Sequence, residues 1–183
     1  MILPIYLYGQ PVLRKETVDI EPDHEGLREL IDNMFETLTQ ADGCGLAAPQ
    51  VGLSLRLFIV DGTELGEDYP DCVDFKCAFI NPEIIEESEA VATYSEGCLS
   101  LPGISENVTR PAKVRVRYLD TDFKEHDEWF EGFKARIVQH EYDHLEGNVF
   151  TDKISPLRRQ FVKSKLANIA KGKTTARYRV KKN

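Results

Sequence analysis

His140 and His144, with Glu141 between them, are the residues of this 183-residue chain whose types and spacing most directly imply chemistry. In Gln139-His140-Glu141-Tyr142-Asp143-His144-Leu145 the histidines stand four apart. On a helix they project from one face, about 40° apart around the axis, and can hold one metal ion between them. Glu141 is offset by roughly 80° from the middle of the pair, near enough to take a proton from a metal-bound water without ligating. That is the arrangement of a metal-assisted hydrolase. The same letters also fit a charged, soluble helix, so the choice turns on a third ligand. A catalytic metal commonly has three protein ligands and one open position. Cys98 is the best candidate, standing between glycine and leucine where a strand turns into a loop. A lone cysteine is more often a small buried hydrophobe.

The elements that must position these residues follow from periodicity. From Phe133 the pattern is helical and carries the histidines through to Leu145, with Gly147 as the stop. Leu27, Leu30, Ile31, Met34, Phe35 and Leu38 form an amphipathic stripe, which predicts an N-terminal helix over 24–41 with Asp23 as its cap and Gly43 and Gly45 at its far end. Residues 1–22 predict a turn into an extended arm. Gly43 to Gln50 carries little side-chain bulk, so a backbone or a ligand can approach it closely. Strands are predicted at 55–60, 79–86, 89–94, 113–119 and 127–130, with Pro82 at a sheet edge. Residues 61–76 read as a long acidic surface loop, and a C-terminal helix is expected over 156–170 with Ser155 as cap. No repeat or linker divides the chain, which reads as one catalytic domain over 1–170 and a basic tail over 171–183.

Size and composition set outer limits. The chain is long enough to bury a sizeable core, and its 42% hydrophobic and 30% charged residues are ordinary for a globular domain. The start lacks a signal-peptide pattern, and no stretch approaches 18 apolar residues, so no membrane association is expected. Cys44, Cys72, Cys77 and Cys98 form no C-x-x-C pair, which predicts a reduced, cytoplasmic setting. The net charge of −8 is unevenly spread: the last 26 residues carry ten Lys/Arg and no Asp/Glu, leaving −18 on the rest. That segment is either a solvated helix with a frayed tail or a contact for a polyanion, RNA rather than DNA.

Three segments taken together narrow the function. G-x-G-L-A-A-x-Q at Gly43–Gln50, E-G-C-L-S at Glu96–Ser100 and H-E-x-D-H at His140–His144 stand in this order. In them the chain closely resembles peptide deformylase of the common bacterial type, over about residues 1–170. The resemblance implies an α+β fold, with antiparallel β-sheets around a central helix bearing H-E-x-D-H. It implies removal of the formyl group from the N-terminal formylmethionine of newly synthesised proteins. Cys98, His140 and His144 would be the metal ligands, for Fe²⁺ in many members, with Zn²⁺, Ni²⁺ or Co²⁺ as substitutes. Glu141 would serve as general acid and base, and the Gln50 amide and the Leu99 backbone N–H would hold the oxyanion. Phe133 and Ile137, on the histidine face of the helix, would wall the methionine pocket, and the peptide would pair along Gly45-Leu46 as an added strand. Asp143 would orient rather than ligate. The basic segment would bring the enzyme to ribosomal RNA. Two rivals are weighed. A general peptidase fits the E-G-C-L-S segment poorly, and a metal-stabilised RNA-binding module needs neither Glu141 nor Gln50.

Overall fold

The computed structural model describes residues 1–182. Its core is a five-stranded antiparallel sheet in the order β2-β3-β4-β7-β8, built from β2 (Gly45–Ala47), β3 (Leu57–Asp61), β4 (Lys76–Glu87), β7 (Lys113–Leu119) and β8 (Glu125–Glu131). In β3 the alternation of a strand divides the apolar run between two layers. Leu57 and Ile59 face the helix α1 (Leu27–Ala41), while Phe58 and Val60 join the core that holds the second helix, α2 (Gly132–Leu145). A hairpin of β5 (Val91–Cys98) and β6 (Leu101–Pro111) forms a separate small sheet. It packs with the C-terminal helix α3 (Pro156–Ala170) around Leu101, Ile104, Val108, Phe150, Val162 and Ile169. The expected α+β architecture, with antiparallel sheets around the H-E-x-D-H helix, is the one observed.

Several local expectations are corrected. The first helix begins at Leu27, and its N-cap is Gly26 at φ 76°, not Asp23, because a turn from Glu21 to His24 occupies the preceding residues. Pro11–Arg14 forms a short 3₁₀ turn within the N-terminal arm, and Arg14 pairs with Asp152 at 2.6 Å. Pro82 does not lie at an edge: β4 pairs with β3 on one side and β7 on the other. The missing N–H is absorbed by a bulge between Ile80 and Glu83, where Asn81 takes a φ of 50° and its side chain bonds both backbone groups of Ile20. The acidic loop is ordered by two 3₁₀ turns, Thr63–Leu65 and Pro70–Cys72.

The basic C-terminus is not frayed. After α3 the chain folds back, and β9 (Val180–Lys181) pairs in parallel with β1 (Ile5–Tyr6). Helix α3 matches its expected bounds, and the Ser155 side chain accepts from the Arg158 N–H. Arg158 fixes the helix to the hairpin through two bonds to Glu106, at 2.8 and 3.0 Å. Among the described residues no helix is long and apolar enough to cross a membrane.

Candidate metal centre and active site

Helix α2 is buried on nearly every side, although half of its residues are polar or charged. Buried polar groups are costly unless bonded, so each one needs a partner. Gln139 donates to the Pro111 and Ala135 carbonyls. Arg136 donates to the Val108 and Ala92 carbonyls and to Glu96. Asp143 accepts from Arg110 at 2.6 Å, and His140 Nδ1 lies 2.8 Å from Glu96 Oε1. Two buried side-chain atoms of the described residues have no partner: Glu141 Oε2 and His144 Nδ1. Both belong to the segment that the sequence singles out for chemistry.

Next to them, Cys98 Sγ and one nitrogen from each of His140 and His144 lie within 4.8 Å of one another. Cys98 Sγ is 3.4 Å from His144 Nε2. With Nδ1 held by Glu96, His140 presents Nε2 to the same point. Burial keeps His144 well below the usual imidazole range, so it is neutral, as a ligand must be. Burial also works against a charge on His140, but the bonds to Cys98 and Glu96 and the nearby Glu141 outweigh it and raise its pKa well above the ordinary value. One soft sulfur and two imidazole nitrogens converging on a single point fit a divalent transition metal.

Glu141 sits against the same point, with Oε1 4.0 Å from His140 Nε2. Burial, the largest influence, pushes its pKa up to about 7. Its seat requires Gly45 to lack a side chain: a Cβ there would stand 2.6 Å from Glu141 Oε1. Gln50 is buried and locked by its own turn, its Oε1 accepting the Ala47 N–H at 2.9 Å. Its Nε2 is 3.5 Å from Cys98 Sγ and 3.1 Å from Ser100 Oγ. Leu99 follows in the turn that joins β5 to β6.

Gln50, Cys98, Leu99, His140 and Glu141 line a cavity of about 490 Å³, with His144 buried behind them. Phe133 and Ile137 reach it, as expected from the helix face. The acidic loop has a part here that its composition does not announce: Tyr69 stacks on Phe133 at 4.1 Å, and Tyr94 meets the same ring edge-on. Strand β2 is an edge strand. Because the Cys44 carbonyl accepts from Asp61, the alternation of an antiparallel pair turns the backbone groups of Cys44 and Leu46 toward β3 and those of Gly45 and Ala47 to the open edge. Gly45 thus borders the cavity, whereas the Leu46 side chain is buried against α1. The Cys44 thiol, pushed up to about 12 by burial and then by Glu141, stays protonated.

Sequence reasoning missed the residue that orients His140. It is Glu96, which Arg110 grips at 2.7 and 2.9 Å and Arg136 at 2.5 Å. Burial alone would raise its pKa, but the bonds from His140 and Arg110 hold it well below the usual carboxylate range. The signal was present, since Glu96 and Cys98 are two apart on one strand and share a face. Asp143 touches neither histidine and acts through Arg110.

Comparisons with known proteins agree with this geometry. The family model described as Polypeptide deformylase matches residues 2–160. The peptide deformylase of Flavobacterium johnsoniae is 48% identical, over 99% of this chain and 96% of that protein. That of Christiangramia forsetii is 46% identical over the same shares. The crystal structure of peptide deformylase from Thermus thermophilus superposes with a TM-score of 0.82 at 39% identity, covering 93% of this chain and 99% of that one.

Proposed function

The chain belongs to the polypeptide deformylase family, metal-binding hydrolases that remove the formyl group from N-formylmethionyl peptides in protein biosynthesis, and we propose that Glu141, Gln50 and the Leu99 backbone N–H carry the reaction here. The observation that carries this reading is the unpartnered, buried Glu141 carboxylate beside the Cys98, His140 and His144 donor set.

Those three residues would hold the cation, which when bound supplies Lewis acidity toward water and the formyl oxygen. The remaining work falls to side chains and backbone. Glu141 takes a proton from the attacking water as its oxygen bonds to the formyl carbon. It returns that proton to the methionine nitrogen as the C–N bond breaks, so formate and a free amine leave. A pKa near the operating pH suits a group that must both take and give. The formyl oxygen, as it gains charge, accepts from Gln50 Nε2 and the Leu99 N–H. Methionine lies against Phe133 and Ile137, and the peptide backbone pairs with the open edge of β2 at Gly45, whereas Leu46 turns its backbone groups to β3 and supports that strand from the core.

The test is formate release from formyl-Met-Ala-Ser by protein purified without oxygen, with and without chelator. Turnover should be abolished by chelator and restored by Fe²⁺, the resident ion we propose, with Zn²⁺, Ni²⁺ or Co²⁺ as substitutes. Gln50→Ala should keep the metal and lose about 10²–10³-fold in rate. Chelator-resistant turnover would refute the metal site, and a fully active Gln50→Ala would refute the oxyanion role.

The site of action we propose is the cytoplasm, in keeping with four free cysteines. The basic C-terminal segment, residues 158–183, is proposed to meet ribosomal RNA. Lys163, Lys165 and Lys171 changed together to Glu should reduce co-sedimentation with ribosomes at low salt. Unaltered sedimentation would end that idea.

A further inference from the structure

The Leu99 turn is held from several sides, and one holder is the last segment of the chain. Its side chain packs where Gly43 leaves room: a Cβ at Gly43 would stand 2.9 Å from Leu99 Cδ1. Its carbonyl accepts from the Tyr178 hydroxyl at 2.5 Å. Tyr178 is carried by the segment between α3 and β9, and that segment is anchored to the N-terminal arm. The Ile5 N–H donates to the Arg179 carbonyl at 2.9 Å and the Leu7 N–H to the Lys181 carbonyl at 3.3 Å, and Arg179 Nη1 donates to the Ile2 carbonyl at 3.0 Å. The same arm holds the next residue of the turn, since the Tyr8 N–H donates to the Ser100 carbonyl at 2.8 Å. Thr175, Ala176 and Tyr178 also line the cavity itself. The C-terminal segment that carries Tyr178 lies beyond residue 160, where the match to the family model ends.

We infer that the C-terminal segment is a strap over the active site, and that Tyr178 is a positioning residue which fixes the Leu99 peptide group for its bond to the formyl oxygen. The inference rests on the oxyanion role proposed above for Leu99. The Leu99 carbonyl and the Leu99 N–H belong to adjacent rigid peptide planes joined at its Cα, so a hydrogen bond that fixes the carbonyl plane restrains ψ of Leu99 and leaves the plane of its N–H fewer orientations. Tyr178 touches no reacting atom. It acts by narrowing the orientations that a catalytic donor samples before the transition state forms.

Tyr178→Phe removes the hydroxyl and keeps the ring, which packs against the same core cluster as Leu99. The experiment compares kcat and KM for formyl-Met-Ala-Ser in the metal-loaded wild type, Tyr178→Phe and Arg179→Ala, alongside the ¹⁵N–¹H resonance of Leu99 in each. Tyr178→Phe should lower kcat about 3- to 10-fold with KM within twofold, and should shift and broaden the Leu99 resonance. Arg179→Ala removes one anchor of the strap but keeps the Tyr178 hydroxyl and the backbone bonds to Ile5 and Leu7, so it should lower kcat less than Tyr178→Phe does. An unchanged kcat in Tyr178→Phe would overturn the inference, as would an equal fall in Arg179→Ala. A wild type that releases no formate would instead refute the proposed function, so the two failures are distinct.

Discussion

Replacing Glu141 by Ala is expected to leave a folded, metal-loaded protein whose formate release is about 10⁴-fold slower than wild type. General acid–base catalysis is worth about 10²–10⁴-fold, and the upper end applies because one carboxylate serves both proton transfers. The fold should not suffer. Glu141 Oε2 is buried without a partner, and burial has already pushed the group up to about 7. Removing an unsatisfied buried carboxyl relieves a desolvation cost, so thermal stability should hold or rise. Glu141→Asp, one methylene shorter, should recover only part of the rate. Turnover, metal content and melting temperature are measured together. Appreciable turnover in Glu141→Ala would remove it from the mechanism, and a collapse in stability would recast it as structural.

The second large effect is expected at Glu96. Its carboxylate, almost inaccessible, balances Arg110 and Arg136, which are 4% and 3% exposed, and it orients His140. Breaking a buried ion pair by removing one partner typically costs about 3–5 kcal/mol, because the remaining charge is stranded. Here Arg136 would keep only carbonyl partners and Arg110 only Asp143, against a total stability of about 5–15 kcal/mol for an ordinary domain. Glu96→Ala should therefore be severely destabilised. Glu96→Gln is the more informative variant, since it keeps the shape and an acceptor for His140. It should fold with a reduced urea midpoint and hold its metal about 10- to 100-fold more weakly in chelator competition. Wild-type metal affinity in a folded Glu96→Gln would show that Glu96 serves the fold alone.

The contrast between these residues explains what the sequence reveals. Cys98 stands on a distant strand and is singled out only by its motif, whereas His140, Glu141 and His144 are legible because helical spacing puts them on related faces. Strand β6 is hard to read for the opposite reason. Its inward positions, Ile104, Glu106, Val108 and Arg110, alternate apolar with charged residues, so hydrophobic periodicity is halved. The charges are tolerated inside because Arg158 and Glu96 answer them, and those partners lie 52 and 14 residues away. Pro82 reads as an edge signal because the bulge that accommodates it depends on Asn81 and Ile20. The C-terminal strap has only two short-range cues, and its pairing with β1 is purely tertiary.

That pairing has a consequence for the order in which the protein becomes competent. Ile5 and Val180 are register partners, so Ile5 waits for a residue that leaves the ribosome 175 positions after it. Contacts of such sequence separation close late, after local elements have formed, because the loop entropy must be met first. The metal donors and Glu141 all precede residue 145, yet the clasp on Leu99 arrives only with Tyr178. A chain released short of that tyrosine would own the chemistry without the alignment, and full proficiency would be reserved for molecules whose synthesis has passed it.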